Sequence, residues 1–363
     1  MTAISAGRLR RQQGRSSSEC PVILLDSRHK VGAKILISGG TRCNVTNRAV
    51  AVSDYEGGPK HFLRHVFAAF TPEKTLRFFE EIGVPLVLET TGKYFPTTNS
   101  GRTVLEALLK ELARVEVSLV EDVKVNELRK NGEFFELITD KEPIRARRVV
   151  LATGGLSLPE TGSDGTGLAI AKKLGHSIAP TAPALTPLLS DDKDWSGLSG
   201  LTLEEVRLDF YWGGRKHASS RGGFLFTHFG FSGPAVLDIS RHWALADPAG
   251  KPQIIADFLP AGDAHRLPKR FFEALKKKCA EGPGKRPSHY PLEVKNVFGY
   301  KKAEVTAGGV DLREVHASTL ESKIVPGLFF AGEILDVDGR IGGFNFQWAW
   351  STGAVAGQAA MKR

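Results

Sequence analysis

The spacing of apolar side chains along the chain predicts short strands that alternate with amphipathic helices. Short apolar runs that end in an acid or in glycine predict strands, whereas apolar side chains repeated every three or four positions predict helices. Thr71, Pro72 and Glu73 form a helix-start signal, because they offer an N-cap hydroxyl, a proline at the first helical position and a first-turn acid. The predicted helices lie at 61–70, 72–82, 103–114 and 165–174. The predicted strands lie at 21–26, 115–119, 124–128, 134–139 and 148–152.

The pattern changes near Pro180, where prolines, serines and short alternating strands replace the strand–helix alternation as far as about Asp257. A helix is predicted again at 271–279, and the α/β pattern then returns. This order predicts an α/β domain built from both ends of the chain, with a β-rich insert between them. The predicted bounds are 1–180 and 305–363 for the α/β domain, 181–304 for the insert, and about 264–297 for a reduced helical segment within it.

The composition is that of a globular protein, with 41% hydrophobic and 25% charged residues. A net charge of +9 can attract nucleic acid, but no zinc spacing or paired aromatic motif accompanies it, so we expect no nucleic-acid partner. The three cysteines of the chain are widely spaced, which argues against a disulfide framework and against a metal site. Because no apolar stretch is long enough to cross a bilayer, we expect a cytoplasmic protein with no membrane partner.

Two glycine turns near the C-terminus carry the first chemical signal. An apolar run ends at Gly332 and Glu333, and Gly342 and Gly343 then open a helix of small residues that reaches Met361. Glycine lets a backbone approach a ligand closely, and a helix start offers N–H groups and a positive dipole end. This arrangement predicts a site for a cofactor that carries several negative charges.

A counterpart of these turns lies near the other end of the chain. Asp26 ends a predicted strand, where a carboxylate can accept hydrogen bonds from an adenosine ribose. The turn at 38–40 then brings the backbone close to a flat ligand, and Arg42, Asn44 and Thr46 add hydrogen-bond donors. The two ends of the chain therefore predict one shared site.

A third glycine turn follows the predicted strand at 148–152. An Ala-Thr-Gly sequence at the end of a strand, here at 152–154, is common beside dinucleotides in flavoproteins, and the glycines at 154 and 155 allow a cofactor to come close. A simple β-turn is the alternative interpretation of this segment.

Together these motifs resemble the HI0933-like flavoproteins, also called BaiN-type NAD(P)/FAD-dependent oxidoreductases. Each motif alone has low specificity, whereas eight of them in the family's order, over nearly the whole chain, are specific. The matching segments are 38–47, 92–96, 152–155, 183–188, 225–234, 306–310, 319–323 and 331–350.

The resemblance implies an α/β fold: a Rossmann-like FAD-binding domain interrupted by a β-barrel-like insert and a short helical segment. It places Asp26 at the adenosine ribose, residues 152–154 near the pyrophosphate and residues 38–44 along the flavin. Residues within 332–338 and 343–347 would hold the ribityl chain and the pyrimidine edge of the isoalloxazine. The implied FAD-binding residues are Asp26, Ser38, Gly39, Gly40, Arg42, Cys43, Asn44, Ala152, Thr153, Gly154, Gly332, Glu333, Asp338, Gly343, Phe344, Asn345 and Gln347.

The match to the family begins after its opening strand and Gly-x-Gly-x-x-Gly turn. Residues 1–6 correspond to the stretch that follows those glycines, and a misassigned start codon is the simplest explanation. Without that turn, we expect FAD to bind weakly. The helical segment is also shorter than the family's, so the substrate preference can differ.

Few residues are candidates for catalysis. His228, on a glycine-rich loop of the insert, is a candidate proton donor because imidazole titrates near neutral pH, and a structural histidine is an equal alternative. Cys43 has no CxxC partner, so we expect a packed thiol rather than a redox disulfide. No second dinucleotide motif is present, so NAD(P)H, if it is the electron donor, would dock transiently at the flavin.

The sequence leaves two functions open. The first is an FAD-dependent oxidoreductase that passes hydride through the flavin, acting on a small or steroid-sized organic substrate at the junction of the two predicted domains, with enone reduction as one form. The second is a flavin-free binding module that keeps part of the fold. A nucleic-acid binder is a more distant third. The substrate, the electron donor and the oligomeric state stay open at this level.

Overall fold

A computed structural model of the protein describes residues 1–192, 195, 197–259, 267–280 and 286–362. The chain divides into two compact units. We call Met1–Ala179 with Gly308–Arg363 the N/C unit, since it joins the two chain ends, and Pro180–Ala307 the central unit.

The structure places nine α-helices within the described residues, and the C-terminal one consists mainly of apolar and small residues. They are α1 (Thr2–Gln12), α2 (Ala33–Ile37), α3 (Lys60–Ala69), α4 (Pro72–Glu81), α5 (Gly101–Arg114), α6 (Thr166–Lys173), α7 (Pro234–Leu245), α8 (Lys269–Ala280) and α9 (Phe344–Met361).

Most of the strands are short. In the N/C unit they begin with β1 (Ile23–Leu25), β2 (Thr46–Asn47), β3 (Tyr55–Gly57), β4 (Leu86–Leu88), β5 (Lys93–Pro96), β6 (Ser118–Val120), β7 (Val125–Asn131), β8 (Phe134–Thr139), β9 (Ile144–Ala146) and β10 (Val149–Leu151). The chain continues with β11 (Ile178–Ala184), β12 (Leu188–Leu189), β13 (Thr202–Trp212), β14 (Arg215–Thr227), β15 (Gly230–Ser232), β16 (Gln253–Asp257), β17 (Tyr290–Leu292), β18 (Asn296–Val297), β19 (Val305–Val310), β20 (Leu328–Phe330) and β21 (Val337–Gly339).

The N/C unit contains parallel strand pairs of the Rossmann type. β1 pairs in parallel with β6, and β10 pairs in parallel with β20. Three further small sheets, β2-β5-β4, β3-β21 and β7-β8-β9, are antiparallel. Because parallel strands point the same way, the loops that follow β10 and β20 leave from the same sheet edge.

Helix α9 is the central element of the N/C unit. Its sequence is apolar or small on every side, and most of its residues are buried, as expected for a helix surrounded by protein. A Cβ atom on Gly357 would lie 2.2 Å from the carbonyl oxygen of Thr2, so glycine is what allows α1 to pack directly on the α9 backbone. This packing brings the two chain ends together.

The central unit is built on one seven-stranded antiparallel sheet. Its strand order is β17-β16-β13-β14-β15-β12-β18. Aromatic side chains dominate the core, where the ring of Trp195 lies 5.4 Å from that of Phe226 and 6.0 Å from that of Phe271. The predicted reduced helical segment at 264–297 includes α8, whereas residues 264–266 and 281–285 lie outside the described residues.

The helix predictions for α3, α4, α5 and α6 are confirmed, including the cap, where Thr71 Oγ1 accepts a hydrogen bond from the Lys74 N–H (3.3 Å). The strand predicted at 115–119 is wrong at its start, because the Val115 N–H still donates to the Glu111 carbonyl (3.0 Å) and β6 begins only at Ser118. β-branched valines at 115 and 117 gave the segment a strand composition although it ends a helix.

Candidate functional site

The carboxyl ends of β10 and β20 form one edge of the candidate site. The Ala331 N–H donates to the Leu151 carbonyl (3.0 Å), so residues 152–154 and 331–333 leave the sheet side by side. Gly154 and Gly332 have φ angles of 72° and 79°, in the left-handed region that glycine adopts without strain. Ligands of open α/β sheets bind in such crevices outside the carboxyl ends of strands.

The start of α9 forms the second part of the site. Gly343 precedes the helix with φ 92°. A Cβ atom there would lie 2.8 Å from the Thr46 carbonyl oxygen and 2.8 Å from Asn44 Oδ1. Because glycine has no side chain, it cannot cap the first N–H groups of α9, whose positive end attracts a negatively charged or hydrogen-bond-accepting ligand.

The loop at 38–44 has an unusual backbone. Gly39, Gly40, Thr41 and Cys43 all have positive φ angles, of 57°, 67°, 72° and 61°. A Cys43 N–H bond to the Ser38 carbonyl (3.0 Å) closes the turn. Positive φ costs energy at Thr41 and Cys43, and such strain persists only where the surrounding structure holds it.

Asn44 is the residue of this loop whose chemistry is incomplete. Its side chain is 8% exposed, and its buried Oδ1 has no hydrogen-bond partner among the described residues. A buried amide oxygen without a donor costs free energy, so it indicates a place for a ligand N–H group beside the start of α9.

Other predicted contacts are already used inside the protein. Gln347 is fully buried, and its Oε1 accepts from Thr46 Oγ1 (2.6 Å) while its Nε2 donates to Ser351 Oγ (3.0 Å). The amide of Asn345 exchanges two hydrogen bonds of 2.8 Å with the backbone of Gly339. Both side chains are therefore bonded within the protein at the first turns of α9, which together with the loop around Asn44 form what we call the cradle.

Arg42 and Phe344 are likewise packed against protein groups. The Arg42 guanidinium lies 4.0 Å from the ring centre of Phe95 and pairs with Glu89 (2.7 Å). Phe344 is fully buried, with the Arg340 guanidinium 4.2 Å from its ring centre.

Glu333 is held by two residues that sequence analysis did not identify. Its Oε2 lies 2.5 Å from Lys34 Nζ and its Oε1 accepts from Ser157 Oγ (2.6 Å), while Lys34 Nζ also donates to Ser157 Oγ (2.8 Å). No sequence motif marks Lys34 or Ser157 as partners of Glu333, because the three residues lie far apart along the chain.

Asp26 lies directly after β1, and Asp338 lies within β21. Asp26 Oδ1 accepts from the Arg28 N–H (2.8 Å). Burial raises the pKa of Asp26, while the hydrogen bond from Arg28 acts in the opposite direction. Asp338 is buried at 3% exposure and faces Glu56 across the β3–β21 ladder.

His228, the candidate catalytic residue, and Cys43, the expected packed thiol, differ in exposure. His228 is exposed on the turn between β14 and β15 in the central unit, with its ring 4.9 Å from that of Phe229. Thr227 Oγ1, next to it, is buried without a partner among the described residues. Cys43 is fully buried, and burial raises the pKa of its thiol to about 11, so the described geometry makes it a packed thiol and not a nucleophile.

In the part of the chain that the structure describes, no three His, Cys, Asp or Glu side chains gather in a way that suits a metal ion. None of the described helices combines the length and apolar character needed to cross a bilayer.

The strand ends, glycine turns and helix start define a Rossmann-type FAD-binding fold, a class shared by flavin-dependent oxidoreductases. A family model, the HI0933-like protein Rossmann domain, matches residues 5–359, so the chain belongs to the HI0933-like family.

Curated relatives match almost from end to end. The chain is 34% identical to a 3-dehydro-bile acid delta(4,6)-reductase of Clostridium scindens, over 96% of this chain and 95% of that protein. It is 30% identical to a ribosomal RNA dihydrouridine synthase of Escherichia coli, over 93% of this chain and 91% of that protein. The protein of that name from Haemophilus influenzae is 31% identical, over 91% and 90% of the two chains.

Solved structures share the fold at low identity. The E. coli quinol fumarate reductase subunit FrdA superposes with a TM-score of 0.53 at 16% identity, over 99% of this chain and 68% of that one. A 3-ketosteroid-delta4-(5alpha)-dehydrogenase of Rhodococcus jostii gives 0.50 at 15% identity, over 100% and 94% of the two chains.

Proposed function

We propose that the chain binds FAD in the N/C unit and reduces a carbon–carbon double bond conjugated to a carbonyl group. The observation that carries the proposal is the cradle at the start of α9, where the buried Asn44 Oδ1 has no donor among the described residues. The pyrimidine edge of an isoalloxazine presents one N–H donor between two carbonyl acceptors. It therefore matches an unpaired amide oxygen beside the N–H groups of a helix start.

In this proposal, different groups of the predicted residues contact different parts of FAD. Asp26 would accept from the adenosine ribose, and residues 152–154 would pass close to the pyrophosphate. Glu333 and Asp338 would face the ribityl hydroxyls, and residues 38–44 would line the flavin. The backbone at 343–347 would meet the pyrimidine edge, with Phe344, Asn345 and Gln347 supporting it from within the protein.

When bound, FAD would supply hydride chemistry through N5. The chain's own part is to orient the cofactor, keep its surroundings dry and provide a proton for the carbon next to the carbonyl. His228 is the proposed proton donor, since it is an exposed imidazole and is not committed to the core. NAD(P)H would be a transient electron donor.

Saturation of a conjugated carbon–carbon double bond is the reaction that the relatives' names have in common. A delta(4,6)-reductase acting on a 3-dehydro bile acid saturates a double bond conjugated to a ketone. Forming dihydrouridine saturates the uracil C5–C6 bond, which is conjugated to the C4 carbonyl. We propose a small or steroid-sized enone as the substrate of this chain, since the bile-acid enzyme has the higher identity of the two kinds.

A uridine in RNA is the second candidate substrate. Two relatives carry ribosomal RNA in their names, and a net charge of +9 would favour association with a polyanion. The expectation of no nucleic-acid partner, made from the sequence, therefore stays a prediction to be tested.

The test is to load the purified chain with FAD and supply NADH or NADPH without oxygen, together with either a steroid 4-en-3-one or a uridine-containing RNA. Loss of the enone absorbance supports the first candidate, and a gain of two hydrogens per uridine by mass spectrometry supports the second. If neither the enone nor the RNA oxidises the reduced flavin, the proposed reaction is refuted. Failure to take up flavin would instead favour the flavin-free binding module.

His228 is tested in the same assay. His228→Gln should slow substrate reduction by about 100-fold while the flavin is still reduced by NAD(P)H at the normal rate, because only the proton donor is lost. His217→Gln, at another exposed histidine of the central unit, is the matched control and should change neither rate.

A further inference from the structure

We propose that Lys34 is a positioning residue of the cofactor site. Together with Ser157 it fixes the Glu333 carboxylate and, through α2, the strained loop at 38–44. This inference rests on the proposed binding of FAD and adds a residue that neither the motifs nor the relatives' names assign.

The three side chains form a closed triangle, which we call the Lys34 clasp. Lys34 donates to both partners, Ser157 accepts from Lys34 and donates to Glu333, and Glu333 accepts at both of its oxygens. Each of the three hydrogen bonds joins a donor to an acceptor, with no two donors or two acceptors facing each other. The triangle therefore fixes the rotation of the carboxylate as well as its position.

The clasp joins three separate parts of the N/C unit. Lys34 lies on α2, Ser157 follows the loop after β10, and Glu333 follows β20. It therefore ties the edge made by the two parallel strands to the segment that leads into the loop at 38–44. Ser157 and Glu333 lie 123 and 299 positions from Lys34 along the chain, so the link is a long-range one.

The burial of its members distinguishes the clasp from a surface ion pair. The side chain of Glu333 is 15% exposed, that of Lys34 is 31% exposed, and Ser157 is fully buried. A mostly buried carboxylate without its cation would keep a large desolvation cost, whereas exposed pairs contribute little. Removing Lys34 alone should therefore destabilise the apo protein more than removing both charges.

The loop next to α2 explains why a fixed anchor is needed. Ser38 Oγ donates to the Ile35 carbonyl (2.9 Å), so the loop begins directly on α2. Thr41 and Cys43 then adopt positive φ, which the surrounding structure has to enforce. The Lys34 side chain connects this short helix to Glu333, which follows β20.

The experiment measures two quantities on each variant of the full chain: the Kd for FAD by absorbance titration, and apo-protein stability by urea unfolding. Lys34→Met should raise the Kd at least 10-fold and shift the bound flavin's absorption band. Lys34→Arg should restore part of the affinity, since it keeps the cation. Lys173→Met, which breaks an exposed pair with Glu127 in the same unit, is the control and should bind FAD as the wild type does.

A double variant separates positioning from folding. Lys34→Met with Glu333→Gln removes both charges, so apo stability should return towards the wild type while FAD affinity stays low. Recovery of both properties would overturn the inference, as would a normal Kd in Lys34→Met. If Lys34→Met does not fold, Lys34→Arg decides alone, and a Kd equal to that of the wild type would overturn the inference. Absence of FAD binding by the wild type would refute the proposed function and the inference together, a result distinct from failure of Lys34 alone.

Discussion

Amide side chains at single positions of the site serve two different purposes. Gln347 satisfies both ends of its amide within the protein, whereas Asn44 leaves its buried Oδ1 without a donor among the described residues. The first contributes to folding, and the second carries a cost that a ligand can remove. Deleting the amide should therefore lower FAD affinity at position 44 and lower the stability of the apo protein at position 347.

Asn44→Ala is expected to weaken FAD binding about 10-fold, because a buried hydrogen bond is worth roughly 1.4 kcal/mol. The free energy of unfolding of the apo protein should change by less than about 1 kcal/mol, since no internal bond to Oδ1 is lost. Gln347→Ala is the contrasting variant and should lose about 2–3 kcal/mol of stability, because the Thr46 hydroxyl loses its buried acceptor. Equal losses of stability in both variants would contradict this division of roles.

Residue roles are where the sequence was least informative. The glycine turns were found from the sequence, because a need for positive φ leaves a compositional trace. The internal pairing of Asn345 and Gln347 leaves none. The family resemblance implies that both residues contact FAD, and the structure adds that their side chains bond to Gly339, Thr46 and Ser351. Lys34 was missed because its partners lie more than a hundred residues away.

Among the elements, α9 links fold and function most closely. It packs against α1 through Gly357 and presents its first turn to the loop around Asn44 through Gly343. The same helix therefore serves as the buried core and as the floor of the cradle. Its small residues are needed at both places for the same reason, which is close approach of another backbone.

Gly343→Ala should destabilise the fold and block the cradle. Alanine at φ 92° costs about 1–2 kcal/mol, and its Cβ would overlap the Thr46 backbone at 2.8 Å. Gly83→Ala is a matched control, since φ is 83° there but nothing lies within 4 Å. Urea unfolding should show the greater loss for Gly343→Ala, and FAD uptake should fail in that variant only. Equal effects would show that the contact with Thr46 is unimportant.

The strand–helix junctions also include a buried histidine that should make stability depend on pH. His176 follows α6, its Nε2 lies 2.9 Å from Ser322 Oγ, and its ring is 4.9 Å from that of Phe330 on β20. Burial lowers the pKa of His176, while the carboxylate of Glu314 opposes that effect. The folded protein therefore holds this side chain neutral at pH values where the unfolded chain binds a proton.

The expected sign follows from that difference. The contribution of His176 is fully present above its unfolded pKa of about 6.5 and is lost as the pH falls towards the lower folded pKa, with a slope of at most about 1.4 kcal/mol per pH unit. As the pH is lowered from 7 to 5, the free energy of unfolding should therefore fall less steeply in His176→Gln than in the wild type. His61→Gln, at an exposed position of α3, should keep the wild-type slope. Identical slopes in all three proteins would contradict the assignment.

Element boundaries were predictable where the pattern and the caps agreed. The start of α4 follows from Thr71 and Pro72, which act locally. The start of β6 and the short helix α2 were not predicted, because the valines at 115 and 117 and the isoleucines at 35 and 37 have strand-like composition. Tertiary packing, which a single sequence does not display, decided both cases.

The whole molecule combines an FAD-type unit made from both chain ends with a central antiparallel unit. Family membership, the Rossmann-type fold and the two-ended construction of the N/C unit agree with one another. The alternation of strands and helices predicts the α/β class, and the family's motifs in their order imply the Rossmann-like FAD-binding fold. The substrate could not be predicted, because its choice depends on side chains whose contacts with a ligand leave no periodic trace.

The measurement that tests the account most directly is a titration of the purified 363-residue chain with FAD, followed by absorbance and flavin fluorescence. The account predicts saturable binding of one FAD per chain, with a shifted flavin band, and a Kd about 10-fold higher in Asn44→Ala. Absence of saturable binding, or equal binding by wild type and Asn44→Ala, would contradict the claim that the cradle at the start of α9 holds the flavin.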